Sequence, residues 1–296
     1  MNIGIIGQGF VGSAIRSGLE NFYDIKAFDL DSSKCWNITN PDSVDEVVSF
    51  CDIIFICVPT PMRKDGSCDT RVLESALNSA YTSLKKQNPE PVHSDFLKTL
   101  SHKKTFVIKS TIPPGTTEKL SVKYPRINLC FSPEFLTEAN SFEDFKNQKR
   151  IIIGGDGAKT VKRMFRKPFP NASIIVTRSK TAEMVKYFTN CFLATKVTFA
   201  NQMFEICAET DIDYDKVCEY ALYDERIGKS HLAVPGPDGD RGFGGHCFPK
   251  DLAAMISFAC ANAADDYFLK AVENFNNVIR TNKNWLKMKG RAVSDD

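Results

Sequence analysis

This sequence has little net charge of either sign: Lys and Arg total 38 against 36 Asp and Glu, a formal charge of +2. That balance excludes a protein held to nucleic acid by a strong basic field. It also lacks long apolar runs, and none approaches the roughly 20 residues that a membrane-spanning helix needs. Met1-Asn2-Ile3-Gly4 leads straight into a strand pattern, so no signal peptide is expected. Neither an internal repeat nor a low-complexity tract is present. The ten cysteines, at 35, 51, 57, 68, 130, 191, 207, 218, 247 and 260, form no CxxC pair. No structural zinc site is therefore expected, and no metal. Ten in 296 is also too sparse for a disulfide scaffold. Most lie in apolar segments such as Phe55-Ile56-Cys57-Val58, which reads as buried free thiols in a reducing cytoplasm. Cys247 stands apart.

What is present is ordinary folded-protein material, 43% hydrophobic and 25% charged. At roughly 150 residues per domain the length allows about two domains. Residues 1–178 alternate strand-like and helix-like stretches. Candidate strands are 2–6, 24–29, 52–58, 105–110, 127–132, 150–154 and 173–177, with helices between them, notably 11–21 and 69–86. Short strands rich in Ile, Val and Phe suit a buried parallel sheet, so the expected class is α/β, doubly wound and Rossmann-type. The Lys86–Lys104 stretch, with Pro89, Pro91 and two His, reads as a surface insertion without chemistry. The pattern changes near 179. A long Gly- and Pro-free run from Thr181 to Thr210 predicts a central helix, with Ser179 or Thr181 as its N-cap. Helices at about 249–263 and 265–287 follow a Gly/Pro-rich loop at 234–246. The expected organisation is a dinucleotide domain over 1–178, a helical domain over 179–287, and a frayed tail over 288–296.

Gly7-Gln8-Gly9-Phe10-Val11-Gly12 fits G-x-G-x-x-G, directly after a strand and opening a helix. In that setting the first glycine makes the turn, the second admits the pyrophosphate and the third lets helix and strand pack. Asp29 follows at the end of the second strand, where a carboxylate accepts hydrogen bonds from ribose hydroxyls and repels a 2′-phosphate. NAD is therefore the expected cofactor; the plainer reading of Asp29 is a turn residue. Ligands of open α/β sheets sit at the carboxyl ends of the strands. Those ends here are Val58-Pro59-Thr60-Pro61, Lys109-Ser110-Thr111 and Ser132-Pro133-Glu134. Glu134 and Glu138 share a face if their segment is helical.

Arg241-Gly242-Phe243-Gly244-Gly245-His246-Cys247-Phe248-Pro249-Lys250-Asp251 is the most informative segment. Pro249 suits the first helical position, which sets Cys247 just ahead of a helix N-terminus. The helix dipole and Lys250 both favour thiolate there, as a nucleophilic cysteine requires. His246 reads as a loop residue. Lys186 and Asn190, four apart on the long helix, either stabilise an oxyanion or form a solvated face with Glu183 pairing Lys186.

Taken together, these blocks resemble the UDP-glucose/GDP-mannose dehydrogenase family, with Ala182-Glu183-x-x-Lys186-x-x-x-Asn190, Arg226-Ile227-Gly228 and Ser132-Pro133-Glu134-Phe135-Leu136-x-Glu138 adding to the match. The resemblance implies a four-electron oxidation of a sugar C6 alcohol to a carboxylate with two NAD, UDP-glucose being the favoured substrate. It implies that Cys247 forms a thiohemiacetal and then a thioester, that Lys186 and Asn190 stabilise the oxyanions, and that Thr111 and Asp251 position a water. It implies Glu134 as acid/base for hydrolysis. Gly7, Gly9, Phe10, Val11, Gly12, Asp29, Lys34, Pro59, Thr60, Thr111, Glu138 and Lys250 would contact the cofactor. Glu134, Phe135, Leu136, Lys186, Asn190, Arg241 and Gly244 would contact the sugar nucleotide, and Arg226 would reach it from the second subunit of a homodimer built on the long helix. Family members continue into a second α/β domain, so the residues to Asp296 hold the cofactor and catalytic motifs but little of the uridine pocket. Two other readings are a two-electron hydroxyacid dehydrogenase and a truncated, non-catalytic NAD-binding paralogue with a regulatory role.

Overall fold

A computed structural model describes residues 1–87 and 103–295; most of the stretch read as a surface insertion, Lys86–Lys104, lies outside them. By contact the chain divides into two compact units, Met1–Thr60 with Thr70–Lys186, and Pro61–Asp69 with Tyr187–Asp296. The second unit thus takes in an early segment that a boundary at residue 178 leaves in the first, and the division falls inside the long helix.

The first unit holds a seven-stranded sheet of β1 (Ile3–Ile6), β2 (Ile25–Phe28), β3 (Ile53–Ile56), β4 (Thr105–Ile108), β5 (Asn128–Phe131), β6 (Arg150–Gly155) and β7 (Ser173–Thr177). Their order is β2-β1-β3-β4-β5-β6-β7. β1, β3 and β4 are buried at every position, because helices cover both faces. Ile3, Ile5, Phe55 and Val107 pack with α1 (Phe10–Leu19) and α6 (Ala158–Arg166). Ile6, Ile54, Ile56, Phe106 and Ile108 pack with α3 (Arg71–Gln87) and α4 (Thr116–Lys123). α2 (Asp45–Phe50) and α5 (Ser141–Lys146) complete the layer.

The sheet is not wholly parallel: β5 and β6 pair antiparallel, with Phe131 opposite Gly154. The chain leaves β5 at its carboxyl end, packs Phe145 of α5 against Gly18 of α1, and re-enters from the same edge. β1 pairs with β2 on one side and β3 on the other. Connections leave β1 in both directions, which opens a crevice beyond the carboxyl ends of β1 and β3.

The long helix α7 spans Ser179–Glu209. Ser179 is already helical, so neither Ser179 nor Thr181 is its cap. The second unit continues with α8 (Tyr214–Ala221), α9 (Phe248–Ala261) and α10 (Tyr267–Ile279). Cys191, Ala194, Phe243, Leu252 and Val272 form its main apolar cluster. α10 is shorter than expected because Arg280 turns extended and donates to the carbonyls of Asn282 and Arg241. The tail does not fray: the Met62 N–H donates to the Ala292 carbonyl at 2.8 Å, the Ser294 N–H to the Met62 carbonyl at 2.8 Å, and Ala292 is buried. Among the described residues no helix is long and apolar enough to cross a membrane.

Candidate active site

Gly7 leaves β1 at φ +94°, where a Cβ would lie 2.6 Å from the Cys57 carbonyl oxygen beyond β3. A Cβ on Gly12 would collide with the Gly7 carbonyl oxygen, so this turn closes only with glycine at both positions. Gly9 is the N-cap of α1, has no side-chain cap, and a Cβ there would meet nothing within 4 Å. Phe10 and Val11 begin the helix. The result is an uncapped helix start behind open space, which fits a pyrophosphate. Asp29 spends one oxygen on the Gln8 N–H at 2.5 Å and the other on the Asp31 N–H at 2.9 Å. A carboxylate has about four lone-pair sites, so two stay available to ribose hydroxyls; Asp29 is a turn residue in either case. Lys34 pairs with Asp31 at 3.0 Å.

Hydroxyls tie the ends of β3 and β4 together. Thr60 donates to the Thr111 carbonyl at 2.7 Å and Ser110 to the Val58 carbonyl at 2.5 Å, with Pro59 between the two partners on the first strand. Beyond β5, Glu134 is buried and accepts from Lys186 Nζ at 2.9 Å and from the Leu136 N–H at 2.7 Å. Lys186 also donates to the Glu134 carbonyl at 2.9 Å. Burial alone would raise the Glu134 carboxyl; Lys186, the Leu136 amide and Lys109 outweigh it and hold the group below its ordinary value. The Phe135 ring lies under both Lys186 and the Arg150 guanidinium. Residues 134–138 are not helical, so Glu134 and Glu138 share no helix face: the first is buried, the second exposed. Pro133 favours extended backbone before it and withholds an N–H, and the Glu134 side chain instead closes a tight turn onto Leu136.

The solvated-face reading of Lys186 does not hold. Lys186 and Asn190 are both buried, and Glu183 faces elsewhere, accepting from the Gly115 N–H at 2.5 Å and the Thr117 N–H at 2.8 Å. A carboxylate that caps α4 in this way was not legible in the sequence.

In the second unit Cys247 is the N-cap of α9, with Phe248 first and Pro249 second in the helix. The Asp251 N–H donates to the Cys247 carbonyl at 3.0 Å, which sets Asp251 one turn below the thiol. Asp251 is buried; it accepts from the Asn190 amide at 2.5 Å and is ion-paired with Lys250. Burial works to lower the Lys250 ammonium, and the neighbouring Asp251, Cys247 and Cys68 raise it instead. Sequence reasoning missed the scaffold that fixes the glycine loop. Asn201 accepts from the Gly242 N–H at 3.1 Å, Asn276 from Phe243 at 2.7 Å and Asn284 from Gly245 at 3.0 Å. A Cβ on Gly244 would strike Arg280 and Asn284. Asn276 and Arg280 recur at i, i+4 on α10 and its end, a polar pair on a buried face. Arg241 pairs with Glu205 at 2.6 Å, and His246 is buried. Arg226 is exposed and pairs with Asp224, two residues before it.

Comparison with known proteins finds two successive family domains. The family model described as the NAD binding domain of the UDP-glucose/GDP-mannose dehydrogenase family matches residues 30–168, and that of the central domain matches 180–278. UDP-glucose 6-dehydrogenase of Rickettsia conorii is 31% identical over 93% of this chain and 66% of its own length. UDP-glucose 6-dehydrogenase TuaD of Bacillus subtilis is 30% identical over 91% of this chain and 55% of its own. The solved UDP-glucose dehydrogenase of Pyrobaculum islandicum is 27% identical with a TM-score of 0.79, covering 94% of this chain and 68% of that one. The chain thus spans about two thirds or less of the length of these relatives. Its Rossmann-type first unit is an NAD-binding domain, its helical second unit matches the central domain, and the chain belongs to the UDP-glucose/GDP-mannose dehydrogenase family.

Proposed function

We propose that this chain is an NAD-dependent nucleotide-sugar dehydrogenase that oxidises a sugar C6 alcohol to the carboxylate, with UDP-glucose as substrate and Cys247 as nucleophile. The observation that carries this reading is a cysteine at the N-cap position of α9, one turn before a buried Asp251 held by Asn190 and Lys250. A simple alcohol dehydrogenase has no use for a thiol so placed. Bound NAD accepts hydride. The turn Gly7–Gly12 and Asp29 hold its pyrophosphate and ribose, with Lys34, Pro59, Thr60, Glu138 and Lys250 on the cofactor side. Thr111 and Asp251 orient a water that takes the alcohol proton. Cys247 then adds to the aldehyde carbon, and the C–S adduct loses a second hydride to become a thioester. Lys186 and Asn190 stabilise the oxyanions in both steps. Water, activated by Glu134, releases the acid and the thiol. Phe135, Leu136, Arg241 and Gly244 bound the sugar nucleotide.

The test is NADH release from purified protein with UDP-glucose, GDP-mannose or UDP-N-acetyl hexosamines. Two NADH per UDP-glucose, with UDP-glucuronate as product, is the expected result. One NADH per molecule would favour the hydroxyacid reading, and NAD binding without turnover the regulatory one. A reducing, cytoplasmic setting accords with ten cysteines that are all free.

The same reading includes a homodimer through α7. Phe188, Phe192 and Phe199 are exposed along that helix, at 70, 59 and 61%, and the first two rings stack. An apolar stripe of this kind on water is the mark of an interface. A second copy would cover it and bring Arg226 to the neighbouring site. Sedimentation is expected to show a dimer, and Phe188→Glu with Phe192→Glu a monomer with unchanged helix content; a wild-type monomer would end this part of the proposal.

A further inference from the structure

Lys109 takes no part in the chemistry above, yet it is among the most deeply placed charges in the first unit. It directly follows β4, is only 6% exposed, and donates from Nζ to the Pro133 carbonyl at 3.0 Å. One residue on, Lys186 donates to the Glu134 carbonyl and to its carboxylate, both at 2.9 Å. Two successive carbonyls of one turn are therefore each gripped by a buried ammonium, one from the sheet and one from α7. Lys109 and Glu134 also line a common cavity of about 310 Å³ with Val11, Phe135 and Leu136.

We propose that Lys109 is a positioning residue for Glu134, fixing where that carboxylate points and supplying the second positive charge that it feels. The proposal rests on the reading of Glu134 as the acid/base of thioester hydrolysis. Burying an ammonium is costly, and a neutral donor would satisfy the Pro133 carbonyl as well. What a second cation adds is charge beside Glu134. The groups that face Lys109 are Cys57 from the end of β3, Cys130 from β5, Glu134 from the turn after it and Lys186 from α7. Burial lowers the ammonium to about 8, and the nearby thiols and Glu134 oppose that fall. Glu134 is the one carboxylate in the group. It loses part of its cationic field when Lys109 is removed, and its carboxyl then rises.

The test uses the full chain with Lys109→Met, Lys109→Arg and Glu134→Gln. With UDP-glucose, Lys109→Met is expected to lower kcat about tenfold or more, with KM within about threefold, since the turn is held but misaimed. The acid limb of its kcat profile is expected to move to higher pH, and Lys109→Arg to recover most of the rate. An unmoved acid limb, or a loss that tracks melting temperature and that arginine fails to rescue, would reduce Lys109 to a structural residue. A second readout needs no turnover. Carbon-13 carboxyl shifts of glutamate, with Glu134 assigned by its loss in Glu134→Gln, are expected to titrate at higher pH in Lys109→Met than in the wild type. If the chain releases no NADH, the reading of Glu134 as acid/base fails, and this titration alone decides whether Lys109 sets its charge; identical titrations would overturn the proposal.

Discussion

Cys247→Ala is expected to lower production of the sugar acid by about 10³-fold or more, the scale seen when a covalent nucleophile is deleted. Cys247 occupies the N-cap position of α9, at the positive end of that helix, and Lys250 adds a buried cation to the same neighbourhood. Both favour thiolate over thiol. Without sulfur the aldehyde has no route to a thioester, and the second hydride transfer has no covalent donor. The first oxidation needs Thr111, Asp251, Lys186, Asn190 and the cofactor turn, but not the thiol. The alanine variant should therefore bind NAD as tightly as the wild type and stop at the aldehyde, with at most one NADH per sugar. Cys247→Ser separates nucleophile from fold: serine is a favoured residue at an N-cap position, so stability is kept while acid production stays lost. Full acid production by Cys247→Ala, with two NADH per sugar, would remove the covalent route from the proposal.

The first unit was legible because its signals are local. Ile3–Ile6, Ile53–Ile56 and Thr105–Ile108 are apolar runs of strand length, and each lies within a stretch marked out from the sequence. Gly7, Gly9 and Gly12 announce themselves by spacing, and φ +94° at Gly7 is the conformation that spacing demands. What escaped depends on partners far away in sequence. Antiparallel β6 follows from Phe145 packing on Gly18, which no window containing β6 reveals. Glu183 looked like a surface partner for Lys186 because they lie three apart on one helix; it caps α4 instead, 66 residues upstream. The tail read as polar and frayed because the backbone that pairs with it belongs to Met62, more than 200 residues earlier. Of the candidate site, residue types and spacing marked Cys247, Lys186 and Asn190 as candidates, while Asn201, Asn276, Arg280 and Asn284, which hold the glycine loop in shape, carried no signature beyond being polar.

Lys186→Met is expected to destabilise the protein by about 3–5 kcal/mol at neutral pH, the cost of breaking a buried pair and stranding one charge. The pair is nearly dry, with the two side chains 5 and 8% exposed. In the wild type the Glu134 carboxyl titrates below its ordinary value, so its contribution to stability is present above the unfolded value of about 4.3 and is lost as pH falls through the lower folded value. Removing Lys186 takes away the largest opposing cation, and burial, which already pushes the group upward, then dominates. The sign inverts: the folded carboxyl now titrates above the unfolded one, and the penalty grows as pH rises through the gap between them. Urea denaturation should show a large loss for Lys186→Met at pH 7.5 and a smaller one at pH 5, because the stranded carboxylate is penalised only where it is ionised in the unfolded chain. Glu134→Gln in the same chain removes the stranded charge and should restore most of the stability at pH 7.5 without restoring turnover. A penalty equal at both pH values, and unrelieved by Glu134→Gln, would mean that Lys186 stabilises through its packing against Phe135 rather than through Glu134.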